Sequence, residues 1–403
     1  CIDFSKKRTI SDDEAQVELY DLLIDSVRMR LMSDVPIGAF LSGGMDSSII
    51  TALMAELGVS PLRTFTVGFS QKLYDERYSA REISAKFATC HYEKMGNPDD
   101  FNLLKSLIAK MGQPYADSSI IPTALVSAFA AKEVKVALGG DGADELFCGY
   151  YRYLLMKYAS FADILPSFVR RNLFGAVAGI VPVASSERTL AGKLRRILKV
   201  FAENPDIRYH RIIVRFDEEI KKSLYGARMR NCEFRSSAEY LRELSYNLKI
   251  DNSIERYSAL DMDTYLNGDI LAKLDIASMA SSLEARSPFL DYRVAEFAAS
   301  LPMRLKQKGS SRKHILRKTF QGVLPEKILN REKKGFGVPL ADWFKGSWSR
   351  IAEENIIEGR AVKEEFLSRD SVTRMINEHR RGSADHSYAL FAILCFALWL
   401  DAE

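Results

Sequence analysis

"IGAFLSGGMDSSIITALMAELG", residues 37 to 58, joins a short apolar run to a helical pattern through a turn holding two glycines, three serines and one aspartate. A strand that leaves its sheet and opens a helix presents unpaired backbone N–H groups, and the helix dipole adds partial positive charge, so the turn suits a phosphate. Gly43 and Gly44 let the backbone approach an anion, while Ser42, Ser47 and Ser48 supply hydroxyl donors. A kinase-type phosphate loop requires Lys and then Ser or Thr after its last glycine. Met45 and Asp46 stand there instead. An acid beside phosphates repels them unless a divalent cation bridges the two, which makes Mg2+ the natural partner of Asp46. The bland alternative is a helix capped by Ser and Asp; the full Ser-Gly-Gly-x-Asp-Ser string behind an apolar strand favours the phosphate.

Working outward, Ser11 followed by Glu14 reads as a capping box. It opens a helix carrying Leu19, Leu22, Leu23, Val27 and Leu31 at helical spacing, ended by Asp34 and Pro36. Downstream, 63–69 reads as strand, 75–88 as helix, 90–95 as strand, 123–133 as helix and 134–140 as strand. Strands alternating with helices predict an α/β fold, a parallel sheet with helices on both faces. Beyond Tyr150 amphipathic helical patterns dominate and no further strand is expected. The chain thus divides into a polar lead over 1–11, an α/β nucleotide-binding core over 12–155 and a mainly helical part over 156–403.

The segment "VKVALGGDGADELFCGY", 134–150, repeats the grammar of the first loop: apolar strand, three glycines in four positions, acids, helix. Parallel strands deliver their C-terminal ends to one sheet edge, so the two loops can face each other across a crevice. Asp141, Asp144 and Glu145 then join Asp46. Four acids cannot crowd one phosphate group without metal, which assigns Asp46 and Asp144 to Mg2+ and leaves Asp141 for other work.

The bulk composition is that of an ordinary globular chain of 403 residues, 47% hydrophobic and 27% charged. A net charge of +4 without basic blocks argues against nucleic acid as a partner. Five scattered cysteines lack a CxxC pair, which points to a reducing compartment. The apolar stretch "NLFGAVAGIVPVA", 172–184, is broken by Gly and Pro and is shorter than the ~18 residues a membrane crossing needs. It reads as a helix packed in the core rather than as membrane contact. With no signal-peptide pattern at the N-terminus, the expectation is a cytoplasmic protein with no membrane partner. A homodimer is compatible with the sequence.

Taken together, "RLMSDVPIGAFLSGGMDSSII", "TFTVGF", "GQPYADSSIIPT", "VALGGDGADELFCGYYRY", "LEARSPFLDYRVAEF", "RKHILRKTF" and "REKKGFGVPLADWF" resemble the synthetase domain of glutamine-dependent asparagine synthetases, ATP pyrophosphatases of the PP-loop type. The resemblance covers nearly the whole chain from about residue 12. It implies adenylation: the side-chain carboxylate of aspartate attacks the α-phosphate of MgATP, pyrophosphate leaves, and ammonia displaces AMP to give asparagine. It places pyrophosphate on Ser42, Gly43, Gly44, Asp46 and Ser47, the adenosine against Phe40 and Val67, and the nucleotide against Gly139 and Gly140. Asp141 matches an acid linked to acyl-adenylate formation and ammonia deprotonation, and Asp144 a metal and pyrophosphate ligand. Lys313 matches a lysine that neutralises the pentavalent transition state, with Lys333 a weaker candidate. Without the resemblance, Lys313, His314 and Arg317 read as a solvated helix face.

Arg286 and Asp291 read as a structural ion pair and turn. Lys273 and Asp275 match a stretch lining the acceptor site, and Ile276 stands where relatives commonly carry arginine. Relatives place a glutaminase domain first, with an N-terminal cysteine that releases ammonia from glutamine. "CIDFSKKR" lacks the glycine-rich strand that should follow such a nucleophile, so Cys1 reads as incidental and the chain as the synthetase half alone, supplied by a glutaminase domain or subunit outside it. The rivals are ligases that adenylate another acid, such as β-lactam-forming, sugar-acid-amidating or peptide-cyclising relatives, and a nucleotide-binding protein without turnover.

Overall fold

The computed structural model describes residues 2–71, 74–96, 100–181, 190–214, 216, 218–331 and 337–403. It holds a five-stranded parallel sheet of β1 (Ile37–Phe40), β2 (Arg63–Gly68), β3 (Cys90–Met95), β4 (Val136–Leu138) and β5 (Glu284–Arg286), in the order β3-β2-β1-β4-β5. Gly38 pairs with Arg63 on one side of β1, and Ile37 with Val136 on the other. The α/β parallel-sheet expectation is borne out, and every strand read from the sequence is present. β5 is an addition: three residues from the part expected to be helical pair with β4, Val136 with Glu284 and Leu138 with Arg286. Its Glu-Ala-Arg sequence carries no apolar alternation: Glu284 is exposed, and Ala285 and Arg286 are only half-buried.

Side chains alternate across the sheet as a two-residue repeat requires. Ala39, Val136 and Leu138 enter one core with α1 (Asp12–Arg30) and α2 (Met45–Glu56). Phe65, Val67 and Ala137 enter the other, against Val126 and Ala130 of the helix Ile120–Ala130. The capping box at α1 is complete: Glu14 N donates to Ser11 Oγ at 3.2 Å and Ser11 N donates to Glu14 Oε2 at 3.0 Å. Ala15, Leu19, Leu23 and Val27 form its buried stripe, each leucine contributing about 2 kcal/mol of apolar transfer free energy. At its C-terminal end Arg286 Nη1 donates at 2.8 Å to Arg30 O, a carbonyl that the helix leaves unpaired, and at 2.9 Å to Met32 O just beyond it.

The chain forms two compact units, each built from separated segments. The first comprises Cys1–Pro98, Ser119–Leu154 and Leu248–Val338, and holds the sheet. The second comprises Asp99–Ser118, Leu155–Asn247 and Pro339–Glu403 and is helical. Its core includes Trp348, which meets Trp343 at 4.7 Å between ring centroids and Phe101 at 6.2 Å. The helix Ser167–Ile180 covers most of the apolar stretch read from the sequence, but Leu173, Val177 and Ile180 on it are exposed, correcting the expectation of a core helix. Only Arg170 and Ala178 of this helix are buried. Residues 182–184 of the stretch lie outside the described residues. No described helix is long and apolar enough to cross a membrane.

Candidate active site

The sheet order reverses at β1, with β2 and β3 on one side and β4 and β5 on the other. Such a switch point opens a crevice between the loops that leave the two central strands. After β1 the chain turns through Ser42 to Gly44 into α2. Gly43 has φ of +68°, and a Cβ there would lie 2.5 Å from the Ser79 backbone, so conformation and space both demand glycine. Gly44 N donates to Ser42 Oγ at 3.2 Å, Ser42 N donates to Ser47 Oγ at 3.3 Å, and the two hydroxyl oxygens stand 3.1 Å apart. Arg331 donates to Gly43 O at 3.1 Å. Ser48 is wholly buried, so its hydroxyl does not join this surface.

After β4 the second loop meets the first. A Cβ on Gly140 would lie 2.8 Å from both Asp46 Cβ and Ser47 N, so this glycine lets the second loop rest on the opening turn of α2. Gly139 sits beside the half-buried Phe40 ring and under the Asp141 carboxylate. Val67 is buried in the sheet core. Asp144 and Glu145, on the short helix Ala143–Leu146, are both buried.

Lys313 joins the two loops. Its ammonium donates to Asp46 Oδ1 and Oδ2 at 2.7 Å each and pairs with Asp144 Oδ1 at 2.7 Å. The residue is buried and left-handed, φ +51°, at the start of the helix His314–Thr319. A solvated helix face is thereby excluded for Lys313. Burial pulls its ammonium below the ordinary lysine value, against the opposing pull of Asp46. Such a cation in a dry site stabilises developing anionic charge far more than it would in water.

Behind this centre lies a polar cluster with little local signal in the sequence. Tyr150 donates its hydroxyl proton to Glu145, whose carboxyl is pushed up by burial. Arg152 stacks over the Tyr150 ring at 3.9 Å and pairs with the buried Asp261 at 2.6 Å. Tyr153 donates to the same carboxylate. Asp261 precedes a π-helical segment, Met262–Leu271, a widened turn frequent at functional sites. Lys273 follows it and donates to Ser119 Oγ at 2.7 Å, whereas Asp275 is exposed.

Arg286 and Asp291 are structural, with partners other than each other. Arg286 takes Glu284 at 2.7 Å besides the Arg30 and Met32 carbonyls, and Asp291 takes Arg293 and Arg30, each at 3.0 Å. The Arg293 guanidinium, with Arg30 behind it, holds the Asp291 carboxyl far below the ordinary aspartate value. Cys1 and Lys333 lie outside the described residues.

The donor set fits a hard divalent cation. Asp46 and Asp144 converge from different loops on one positive centre, here the Lys313 ammonium, and Mg2+ is characteristically held by one or two carboxylates together with substrate phosphates. Among the described residues no cluster of three or more His, Cys, Asp or Glu forms an all-protein metal cage.

The family model described as asparagine synthase matches residues 18–401. The chain belongs to the asparagine synthase family. It is 34% identical over 392 residues to asparagine synthetase [glutamine-hydrolyzing] 1 of Bacillus subtilis, covering 96% of this chain and 59% of that protein. A putative asparagine synthetase [glutamine-hydrolyzing] of Mycobacterium bovis is 32% identical over 403 residues, covering 97% of this chain and 58% of that protein. Amidase chyE of Penicillium rubens is 25% identical over 409 residues, covering 86% and 56%. The chain therefore spans under two thirds of the length of these relatives.

Proposed function

We propose that this asparagine synthase family chain is an ATP-dependent amide ligase that converts aspartate to asparagine through β-aspartyl-AMP. The observation that carries the reading is the Lys313 ammonium within 2.7 Å of carboxylates on both glycine loops. The N-terminal turn of α2, with Ser42, Gly43, Gly44 and Ser47, binds the pyrophosphate portion of ATP. Phe40, Val67, Gly139 and Gly140 border the rest of the nucleotide. Asp46 and Asp144 hold Mg2+, which supplies charge neutralisation on the phosphates. In the first step an aspartate side-chain oxygen bonds to the α-phosphorus and the bond to the β-phosphate oxygen breaks. Lys313 neutralises the charge that accumulates there and on the departing pyrophosphate. In the second step ammonia attacks the acyl carbon, Asp141 accepts its proton, and AMP leaves. Ammonia comes from glutamine through a glutaminase domain or subunit, and free ammonia substitutes for it.

The test is exchange of labelled pyrophosphate into ATP, with AMP as the nucleotide product. Exchange that requires aspartate supports the reading, and ADP as product refutes it. The likeness to an amidase, together with Ile276 in the stretch matched to the acceptor site, favours one second reading: the same adenylation applied to a different carboxylic acid. A screen of acceptor acids with AMP release as readout separates the two.

A further inference from the structure

The helix Ser167–Ile180 packs one face against the helix Leu190–Ala202, with Phe174 meeting Phe201 at 5.5 Å between ring centroids. Its other face bears an apolar stripe open to solvent. Leu173 is 50% exposed, Val177 40% and Ile180 82%, with Val169 at 41% one turn before. Their spacing of four, four and three residues puts them on one side of the helix. Phe168 at 74%, and Leu190 at 86% on the second helix, extend the exposed apolar surface.

Charge on the same pair of helices is one-sided. The described residues 164–181 and 190–202 carry six Lys or Arg and no acid, a net of +6 where the whole chain carries +4. Arg171, Lys193, Arg196 and Lys199 are exposed. Asp163, just ahead, is engaged by Arg170 and Arg208. A second copy is a poor occupant, because two-fold pairing sets the same patch against itself and brings like charges together. A surface of anionic headgroups over acyl chains answers both the apolar stripe and the basic charge. The helix has 14 residues, about 21 Å at 1.5 Å each, against a hydrocarbon core of ~30 Å, so it lies along a bilayer rather than across it.

We propose that this pair of packed helices docks the chain reversibly on an anionic lipid bilayer. The proposal is independent of the reaction assigned above, and it reverses the expectation of no membrane partner.

The test is flotation of the 403-residue chain with vesicles of phosphatidylcholine alone and of phosphatidylcholine mixed with phosphatidylglycerol. The chain floats with the anionic vesicles at low salt, is released at high salt, and stays behind with neutral ones. Lys193→Gln and Lys199→Gln each lower the partition about fivefold, the value of one surface charge. Ile180→Asp combined with Phe168→Asp abolishes flotation and leaves the thermal midpoint unchanged. Failure to float with anionic vesicles overturns the proposal, as does equal flotation with neutral vesicles. Self-association that Ile180→Asp removes, without vesicle binding, assigns the face to a second copy and overturns it too.

Discussion

Lys313 is a buried cation shared by two acids from separate loops, so the three side chains form one electrostatic unit. In Lys313→Met two carboxylates face each other without their cation. AMP formation falls at least about a hundredfold in turnover assays, and chemical unfolding shows a loss of about 3 kcal/mol, the scale for breaking a buried pair by removing one partner. Asp46→Ala is different: Lys313 keeps Asp144, so the fold survives while AMP formation is lost. Asp291 supports structure, and its contribution depends on acid. Its carboxyl titrates below the unfolded value of 3.8 because Arg293 and Arg30 favour the ionised form. The unfolded chain therefore binds the proton first on acidification, and the contribution, complete above about pH 5, is lost as pH falls through the depressed value. Asp291→Asn is accordingly less stable than the parent at neutral pH, and unfolding curves taken at successively lower pH show the gap closing. Asp46 and Asp144 were legible because a glycine turn behind an apolar strand is a local pattern. Lys313 was legible only through family resemblance, since a lysine on a short helix has no local feature that separates it from a solvated one. Arg331 and Asp261 had no such signal, because their roles arise from contacts made across the chain.

The two glycine turns differ in how much substitution they tolerate. Gly43→Ala meets both a left-handed backbone and the Ser79 main chain at 2.5 Å, whereas a Cβ at Gly44 meets only Ser42 Oγ at 3.2 Å. Gly43→Ala therefore lowers the thermal midpoint and weakens ATP binding, while Gly44→Ala affects the midpoint little; calorimetry and nucleotide titration on the pair check the contrast. Strands β1 to β4 were readable from the sequence because apolar runs ended in glycine or polar turns. β5 was not, because Glu284, Ala285 and Arg286 form their pairing only through a strand 148 residues away by register; Val136 and Glu284 are register partners that no local window contains. Helix 167–180 was readable as a helix, yet its surroundings were misjudged. Periodicity reports which side chains are apolar, and it is silent on what covers them.

Across the molecule, nucleotide binding and stability are linked. If MgATP bridges Asp46 and Asp144, nucleotide at about 100 times its dissociation constant stabilises the chain by about 2.7 kcal/mol. Thermal unfolding with ATP and a chelator in place of Mg2+ shows most of that gain removed, and Asp46→Asn shows little gain in either condition. The discontinuous first unit also bears on how the chain is made. Asp46 and Lys313 stand 267 residues apart, and β5 reaches the sheet only after the helical segment Leu155–Asn247 has been synthesised. A ribosome that has released β1 to β4 thus carries a sheet with one flank of unpaired amides and carbonyls, a template for aberrant strand pairing. Nascent chains arrested before residue 284 should draw on holding chaperones, and those arrested well past residue 313 should resist protease.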